Sequence, residues 1–235
     1  MIKIVQCWDD GVMDDIRLCE ILREHGARAT FNLNPGLHSA QRAHSHRHRE
    51  CKDVMRLARQ ELLPTYQGFT IANHSLNHPW PTKITAIEWR KAVVEGRKQL
   101  QDIFGQSIDG FAYPYGDANE EVAEIVREAG HTYARTCRNS TPSFPPADPM
   151  WFASDCHFAA PDFWDRYEKA KASSSPVFYF WGHSYELVTA EDWRNFAGKL
   201  DSFEGDQDAV WYDLPELFKP KASIAGDEMT QRVFH

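Results

Sequence analysis

The chain alternates short apolar runs with longer segments of helical periodicity. Four segments place apolar residues at helical spacing, 14–25, 85–104, 119–129 and 190–200. The second opens on Thr85 with Glu88 three residues later, which is typical of a capping box. Seven runs rich in β-branched and aromatic residues predict strands at 2–7, 29–33, 69–72, 110–113, 132–136, 177–181 and 209–212.

Strand–helix alternation over 235 residues predicts an α/β domain, either an open sheet or a barrel. Polar residues follow the predicted strands directly, among them Asp10, His74, Tyr115 and His183. A barrel gathers the carboxyl ends of its strands around one mouth, whereas an open sheet spreads them along a crevice. We therefore expect a distorted seven-stranded (β/α) barrel, with residues 1–235 forming a single domain.

Composition excludes several functional classes. The formal net charge of −8 gives no electrostatic support for a nucleic-acid partner, and no apolar run is long enough to span a membrane. The five cysteines are odd in number and lack a C-x-x-C pair. The first residues form a strand pattern and not an export signal, so a cytoplasmic location is expected unless a leader has been removed. Nucleotide-binding glycine motifs are absent.

Two segments interrupt the rhythm, 37–49 and 138–161. The first contains His44, His46 and His48 in alternation. Arginines within that run oppose cation binding, so we expect a solvated loop at the barrel mouth and not a second metal site. Loops of such length in compact domains are usually functional or disordered.

Adjacent carboxylates at Asp9 and Asp10, where a strand should end, repel one another unless a cation or a proton-transfer role stabilises them. His74 and His78 have the i, i+4 spacing that, on one helical turn, lets two imidazoles share a cation. Asp10 is the natural third ligand, because two histidines and one carboxylate leave positions open for water and substrate. The alternatives are an Asp–Gly turn that caps the next helix, and surface or capping histidines.

Three further residues complete a candidate hydrolytic site. Asp9, close to the metal but not bound to it, could accept a proton from water. His183 ends an apolar strand and could donate a proton to a leaving group, although a buried core histidine is the alternative. The Pro–Tyr–Gly turn at 114–116 could present the Tyr115 N–H to an oxyanion, the alternative being an aromatic packing turn.

Four segments resemble, in order, the motifs of the polysaccharide deacetylase family, also called carbohydrate esterase family 4. They are WDDG at 8–11, IANHSLNHP at 71–79, FAYPYG at 111–116 and WGH at 181–183. The resemblance covers most of the chain and implies a distorted (β/α) barrel that removes acetyl groups from N-acetylated sugars with one divalent metal. It implies that Asp9 is the general base, that Asp10, His74 and His78 bind the metal, that Tyr115 helps to hold the oxyanion, and that His183 is the general acid.

One position departs from the family pattern. Many members carry an arginine in the third motif, paired with the base, where this chain has Ala112. Arg135, at the end of the next predicted strand, is the candidate replacement; a surface ion pair is the alternative.

The expected metal is zinc, although cobalt, nickel or iron also suits two imidazoles and a carboxylate. The expected substrate is an N-acetylated amino sugar, whether an oligosaccharide, a glycan or a small sugar conjugate. A non-sugar amide or cyclic imide is the alternative substrate for the same site. A non-catalytic carbohydrate-binding relic is the third interpretation, and the intact set of acidic and histidine residues argues against it.

Overall fold

Strands and helices alternate along the chain, as the pattern predicts. The computed structural model describes residues 1–139, 144, 146–174 and 176–219. The strands are β1 Ile2–Asp9, β2 Thr30–Leu33, β3 Ala43–His48, β4 Lys52–Arg56, β5 Thr70–Asn73, β6 Gly110–Ala112, β7 Tyr133–Asn139, β8 Phe152–Ser154, β9 Cys156–His157, β10 Val177–Gly182 and β11 Ala209–Trp211. The helices are α1 Asp14–Glu24, α2 Arg59–Tyr66, α3 Ala86–Phe104, α4 Glu120–Glu128, α5 Phe163–Lys171 and α6 Ala190–Gly205.

The main sheet is a nearly closed barrel of parallel strands in the order β8-β7-β6-β5-β2-β1-β10-β9. Only Asp155 separates β8 from β9, and its N–H donates to the Tyr179 carbonyl of β10 at 2.7 Å. The two ends of the sheet therefore lie on one segment. This path has eight strands and not the predicted seven, because that segment is split at Asp155 into two strands too short to show a pattern. The predicted last strand, β11, pairs with β1 outside the path.

The alternation along β1 explains how the barrel positions its first polar residues. Ile4 and Trp8 pack outward in a cluster that includes Leu18 of α1. Val5 and Cys7 belong to a separate buried cluster with Tyr179 and other residues of the barrel strands. Because successive side chains of a strand point to opposite faces, the next odd-numbered residue shares the face of Val5 and Cys7. That residue, Asp9, therefore enters the barrel at its mouth.

Local chemistry sets the start of α3 as expected. The Thr85 side chain accepts a hydrogen bond from the Glu88 N–H, and the Glu88 carboxylate accepts one from the Thr85 N–H, so the predicted capping box is confirmed. Helix α6 continues five residues beyond the predicted end at 200. Helices α2 and α5 were not predicted; α2 contains Pro64 and has little apolar periodicity.

The prediction of an irregular loop at 37–49 is wrong for its second half. Strands β3 and β4 form an antiparallel hairpin, which we call the hairpin. The histidines and arginines of β3 give no apolar strand pattern, so this strand is recognised only from its pairing with β4. The second irregular segment contributes β8 and β9, while residues 140–143 and 145 lie outside the described residues. No described helix is long and apolar enough to cross a lipid bilayer.

Candidate active site

The carboxyl ends of the barrel strands surround a cavity of about 570 Å³. Arg135 lies beneath it, with 2% of its surface exposed, and contacts Asp9. The other six predicted site residues line the cavity: Asp9, Asp10, His74, His78, Tyr115 and His183. With Arg135, the structure thus brings together residues that lie in or after five strands and are up to 174 positions apart in the sequence.

One group at this mouth has the donor set of a divalent metal site. One side-chain ligand atom from each of Asp10, His74 and His78 lies within 4.8 Å of the others. The Nε2 atoms of His74 and His78 are 3.1 Å apart, and the Nε2 of His78 is 3.9 Å from Asp10 Oδ1. The Nδ1 of His74 is 2.7 Å from the Ala112 carbonyl, which makes it the donor and leaves the Nε2 lone pair facing the group. This arrangement fits a divalent cation.

Burial keeps both imidazoles in the form that metals bind. It lowers the pKa of His74, and it lowers that of His78 to about 3 with help from the neighbouring His74. A neutral imidazole retains the nitrogen lone pair needed for coordination. Burial raises the pKa of Asp10, but the Arg56 charge and the nearby histidines lower it by more, so this carboxyl favours its ionised form.

The two histidines meet in a loop and not on a helical turn, contrary to the expectation from their spacing. No helix covers 74–79. Ser75 and His78 adopt left-handed backbone conformations, with φ of 67° and 54°, and the His78 N–H donates to Ser75 Oγ at 3.1 Å. Asn34 donates from its side chain to the His74 carbonyl. The loop is therefore held by hydrogen bonds that a helix would not make.

Asp9 is buried between two donors. Asn32 Nδ2 donates to one carboxylate oxygen at 2.6 Å, and Arg135 Nη2 donates to the other at 2.5 Å. Burial raises the pKa of the Asp9 carboxyl, whereas the Arg135 charge lowers it. Nearby histidines and the Asn32 bond lower it further, so its pKa falls below the ordinary value. The two aspartates do not cap α1, whose N-cap is Met13 without a side-chain bond.

Arg135 reaches Asp9 from the strand next to the family's usual arginine position. Ala112 of β6 is paired in register with Arg135 of β7. A small side chain at 112 leaves room on the inner face, and the guanidinium of Arg135 lies 4.8 Å from the centre of the Trp181 ring. The alternative of a surface ion pair is wrong, because both partners are buried.

His183 lies near the second carboxylate oxygen of Asp10, with its Nε2 4.0 Å from Oδ2, whereas His78 lies near Oδ1. Its Nδ1 faces Glu186 at 3.4 Å, and Glu186 also contacts His157 Nε2 at 2.7 Å. Burial lowers the pKa of His183, but the carboxylates of Glu186, Asp9 and Asp10 raise it by more. Sequence reasoning missed Glu186 and His157, although the spacing of Glu186 three residues after His183 was visible.

Tyr115 occupies a strained turn at the cavity edge. Its φ is +59°, and the residue is 49% exposed. The ring lies face to face with Trp80 at 3.9 Å and edge-on to His78 at 4.4 Å. The turn uses the N–H groups of Gly116 and Asp117 for its own hydrogen bonds. The Tyr115 N–H makes no hydrogen bond to any residue that the structure describes.

A third residue missed from the sequence is Arg56, at the end of β4. It donates from Nη1 to the Asp10 carbonyl, and its guanidinium is 3.4 Å from Asp10 Oδ1. Asp10 has a φ of +90°, a conformation that L-residues rarely adopt. The bond from Arg56 therefore holds the backbone of a candidate metal ligand in an unfavourable conformation. Arg56 lies 46 residues away in sequence and has no motif around it.

Comparison with known proteins identifies a family for the part of the chain that contains β1 to β6. Residues 2–134, more than half of the chain, match the polysaccharide deacetylase family. A chitooligosaccharide deacetylase from Azorhizobium caulinodans is 29% identical over 126 residues, which are 52% of this chain and 52% of that protein. The match thus spans about half the length of this curated relative.

Solved structures show the same fold at low identity. A family 4 carbohydrate esterase from Streptomyces lividans, in complex with acetate, has a TM-score of 0.57 and 17% identity, covering 87% of this chain and 88% of that one. A CE4 family pseudoenzyme from Bacillus anthracis has a TM-score of 0.56 and 16% identity, covering 92% of this chain and 65% of that one. Together with the match over residues 2–134, this means that the chain belongs to the polysaccharide deacetylase family.

Proposed function

We propose that this protein is a metal-dependent hydrolase that removes the N-acetyl group from an amino-sugar substrate. The observation that carries the proposal is the grouping of Asp10, His74 and His78 beside an Asp9 that is ion-paired with Arg135. Such a grouping provides a three-ligand cation site and a separate carboxylate base within one cavity. We propose zinc as the cation, since its usual catalytic sites have three protein ligands and an open position.

A divalent cation bound by these three side chains would polarise the acyl carbonyl and acidify a water molecule. Asp9 then accepts the proton of the attacking water. Its ion pair with Arg135 keeps the carboxylate ionised before the reaction and holds its orientation. Asn32 fixes the second carboxylate oxygen, so that the base does not rotate. A base held in this way is pre-organised for proton transfer.

His183 donates a proton to the departing amine. Glu186, close to its Nδ1, stabilises the protonated ring and leaves Nε2 facing the cavity. The Tyr115 N–H provides a donor for the oxyanion that forms at the acyl carbon. A backbone donor at this point needs no reorganisation, because the turn at 114–116 already holds it.

An acetate-release screen tests the proposal. The protein is loaded in parallel with zinc, cobalt, nickel or iron and offered N-acetylglucosamine, its oligomers and simple N-acetyl amides. Cyclic imides are offered separately and their ring opening is followed by chromatography, because it releases no acetate. Release from the sugars in a metal-dependent manner is the expected result. Hydrolysis of non-sugar amides or imides alone would assign the site to the alternative substrate class. Sugar binding without turnover under every metal would identify a non-catalytic relic.

The Arg135–Asp9 pair yields a prediction about both stability and pH dependence. In Arg135→Met, Asp9 stays buried without its cation, so we expect the free energy of unfolding to fall by about 3–5 kcal/mol. Burial then raises the pKa of Asp9 with its largest opposing charge removed. The base therefore becomes protonated at a higher pH than in the wild type, and we expect the acidic limb of the pH profile of kcat/KM to shift to higher pH.

Chemical denaturation and a pH–rate series measure these two effects. The matched control is Arg90→Met, which breaks an exposed ion pair with Glu128 and should cost less than about 1 kcal/mol. An Arg135→Met enzyme with unchanged stability and an unchanged pH profile would show that Arg135 does not tune the base.

A further inference from the structure

The hairpin is built onto the loop that follows β1. The Met13 N–H donates to the Met55 carbonyl at 2.8 Å, and the Leu57 N–H donates to the Gly11 carbonyl at 3.3 Å. Arg56 adds its bond to the Asp10 carbonyl. These contacts continue β4 alongside the segment that carries the candidate base and metal ligand. The hairpin is therefore part of the wall of the site.

Lys52 links the hairpin both to the start of α1 and to the loop after β10. Its Nζ donates to Asp14 Oδ1 at 2.6 Å, at the start of α1. It also donates to the carbonyls of Tyr185 and Leu187, at 3.2 and 3.3 Å, in the loop after β10. One partly buried ammonium group thus links the segments that follow β1 and β10.

Side chains of the hairpin extend this wall into the cavity. Ser45, His46 and Arg56 line it together with Tyr185. The rings of His46 and Tyr185 are 4.9 Å apart, and Tyr185 stacks on His183 at 4.8 Å. The wall is consequently continuous from the hairpin to the candidate general acid.

The order of strands places this wall on one side of the mouth. β1 and β10 are neighbours in the barrel, whereas β6 is three strands away from β1, through β2 and β5. Going the other way from β10, the β9–β8 segment and β7 come before β6. β6 therefore faces the β1–β10 pair across the mouth. There the edge of the cavity carries exposed Tyr115 and its stacking partner Trp80.

We infer that the hairpin closes the β1–β10 side of the cleft, so that a sugar chain leaves the site on the opposite side, past Tyr115. This inference rests on the proposed function. The substrate class is then a single N-acetylated sugar or the terminal unit of a chain, and not an internal unit of a threaded polymer. A cavity of about 570 Å³ is within the range that encloses a small-molecule ligand.

The position of deacetylation tests the inference. The metal-loaded protein is incubated to completion with N-acetylglucosamine oligomers from the dimer to the hexamer, and the products are sequenced by mass spectrometry. The expected product has lost one acetyl group, from one terminal unit, at every chain length. Loss of acetyl groups from internal units would overturn the inference and leave the proposed function intact. Absence of release from every sugar probe would contradict the proposed function itself, and the inference with it.

Removing the Lys52 anchor provides a second test. In Lys52→Met, we expect faster amide hydrogen exchange across residues 43–56 and a gain of internal deacetylation on the hexamer. The matched control, Lys98→Met, removes an exposed ammonium paired with Asp102 on α3 and should change neither. A Lys52→Met protein whose hairpin exchanges faster but whose products remain strictly terminal would show that the hairpin does not limit access.

Discussion

Asp9→Asn is expected to lower kcat by about 10²–10⁴-fold, the usual contribution of a general acid or base. Asparagine has almost the same shape as aspartate but cannot accept the proton of the attacking water. The three candidate metal ligands stay in place, because Asp10, His74 and His78 keep their own contacts with Arg56, Ala112 and Ser75. Loss of turnover with retained metal binding is therefore the expected combination.

The buried Arg135 cation means that Asp9→Asn should change stability as well as turnover. Asp9→Asn leaves Arg135 without a counter-charge, so stability should fall by about 3–5 kcal/mol. In the double variant Asp9→Asn/Arg135→Met, both charges are gone, and we expect stability to recover while activity does not. Turnover on the best substrate of the screen, metal content and chemical denaturation are measured together for each variant.

The control for Asp9 is Asp102→Asn, the same change at an exposed position on α3. It should leave rate, metal content and stability unchanged, because surface changes away from special features usually have effects within about 0.5 kcal/mol. A near-normal rate in Asp9→Asn would show that another group acts as the base.

His74→Ala is expected to remove metal binding and, with it, activity. Replacing even an outer partner of a metal ligand commonly weakens binding by about 10–100-fold, so loss of a ligand should weaken it by more. His74 is buried, and its truncation leaves the Ala112 carbonyl without its donor. The more exposed His78→Ala removes a second ligand with less disturbance and should give the same loss.

Zinc titration by calorimetry measures this effect apart from catalysis. The matched control is His25→Ala, which removes the histidine of an exposed group with Asp201 and Glu204 that also has potential ligand geometry. We expect the tight site to survive in that variant. Tight zinc binding by both His74→Ala and His78→Ala, with wild-type affinity, would contradict the proposed ligand set.

Several features of the site followed from local sequence. The alternation along β1 directs Asp9 inward because side chains of a strand point to opposite faces in turn. The interpretation of Arg135 as a replacement cation depended on an equally simple rule, since adjacent parallel strands place residues in register side by side, here Ala112 and Arg135. Both depend on short-range geometry, and the structure places both residues together.

Other features depended on contacts that no local pattern contains. Residues 74–78 were expected on a helical turn, but a hydrogen bond donated by the Asn34 side chain and one accepted by Ser75 Oγ hold them in a loop. The hairpin had no apolar alternation, so its pairing with the loop after β1 was invisible in the sequence. Arg56 and Glu186 entered the site in the same way, through packing of segments that carry no motif.

The sequence by itself determined the kind of chemistry available: two carboxylates, three histidines and a glycine-containing turn, each at or shortly after the end of a strand. It also determined where α3 begins, because the capping box at its start depends on two residues three positions apart, Thr85 and Glu88. Only the tertiary structure decided which atoms meet, since the Arg135–Asp9 contact joins residues 126 positions apart. Such contacts depend on barrel register and on the docking of the hairpin, which are set by the packing of the whole domain and not by local propensity.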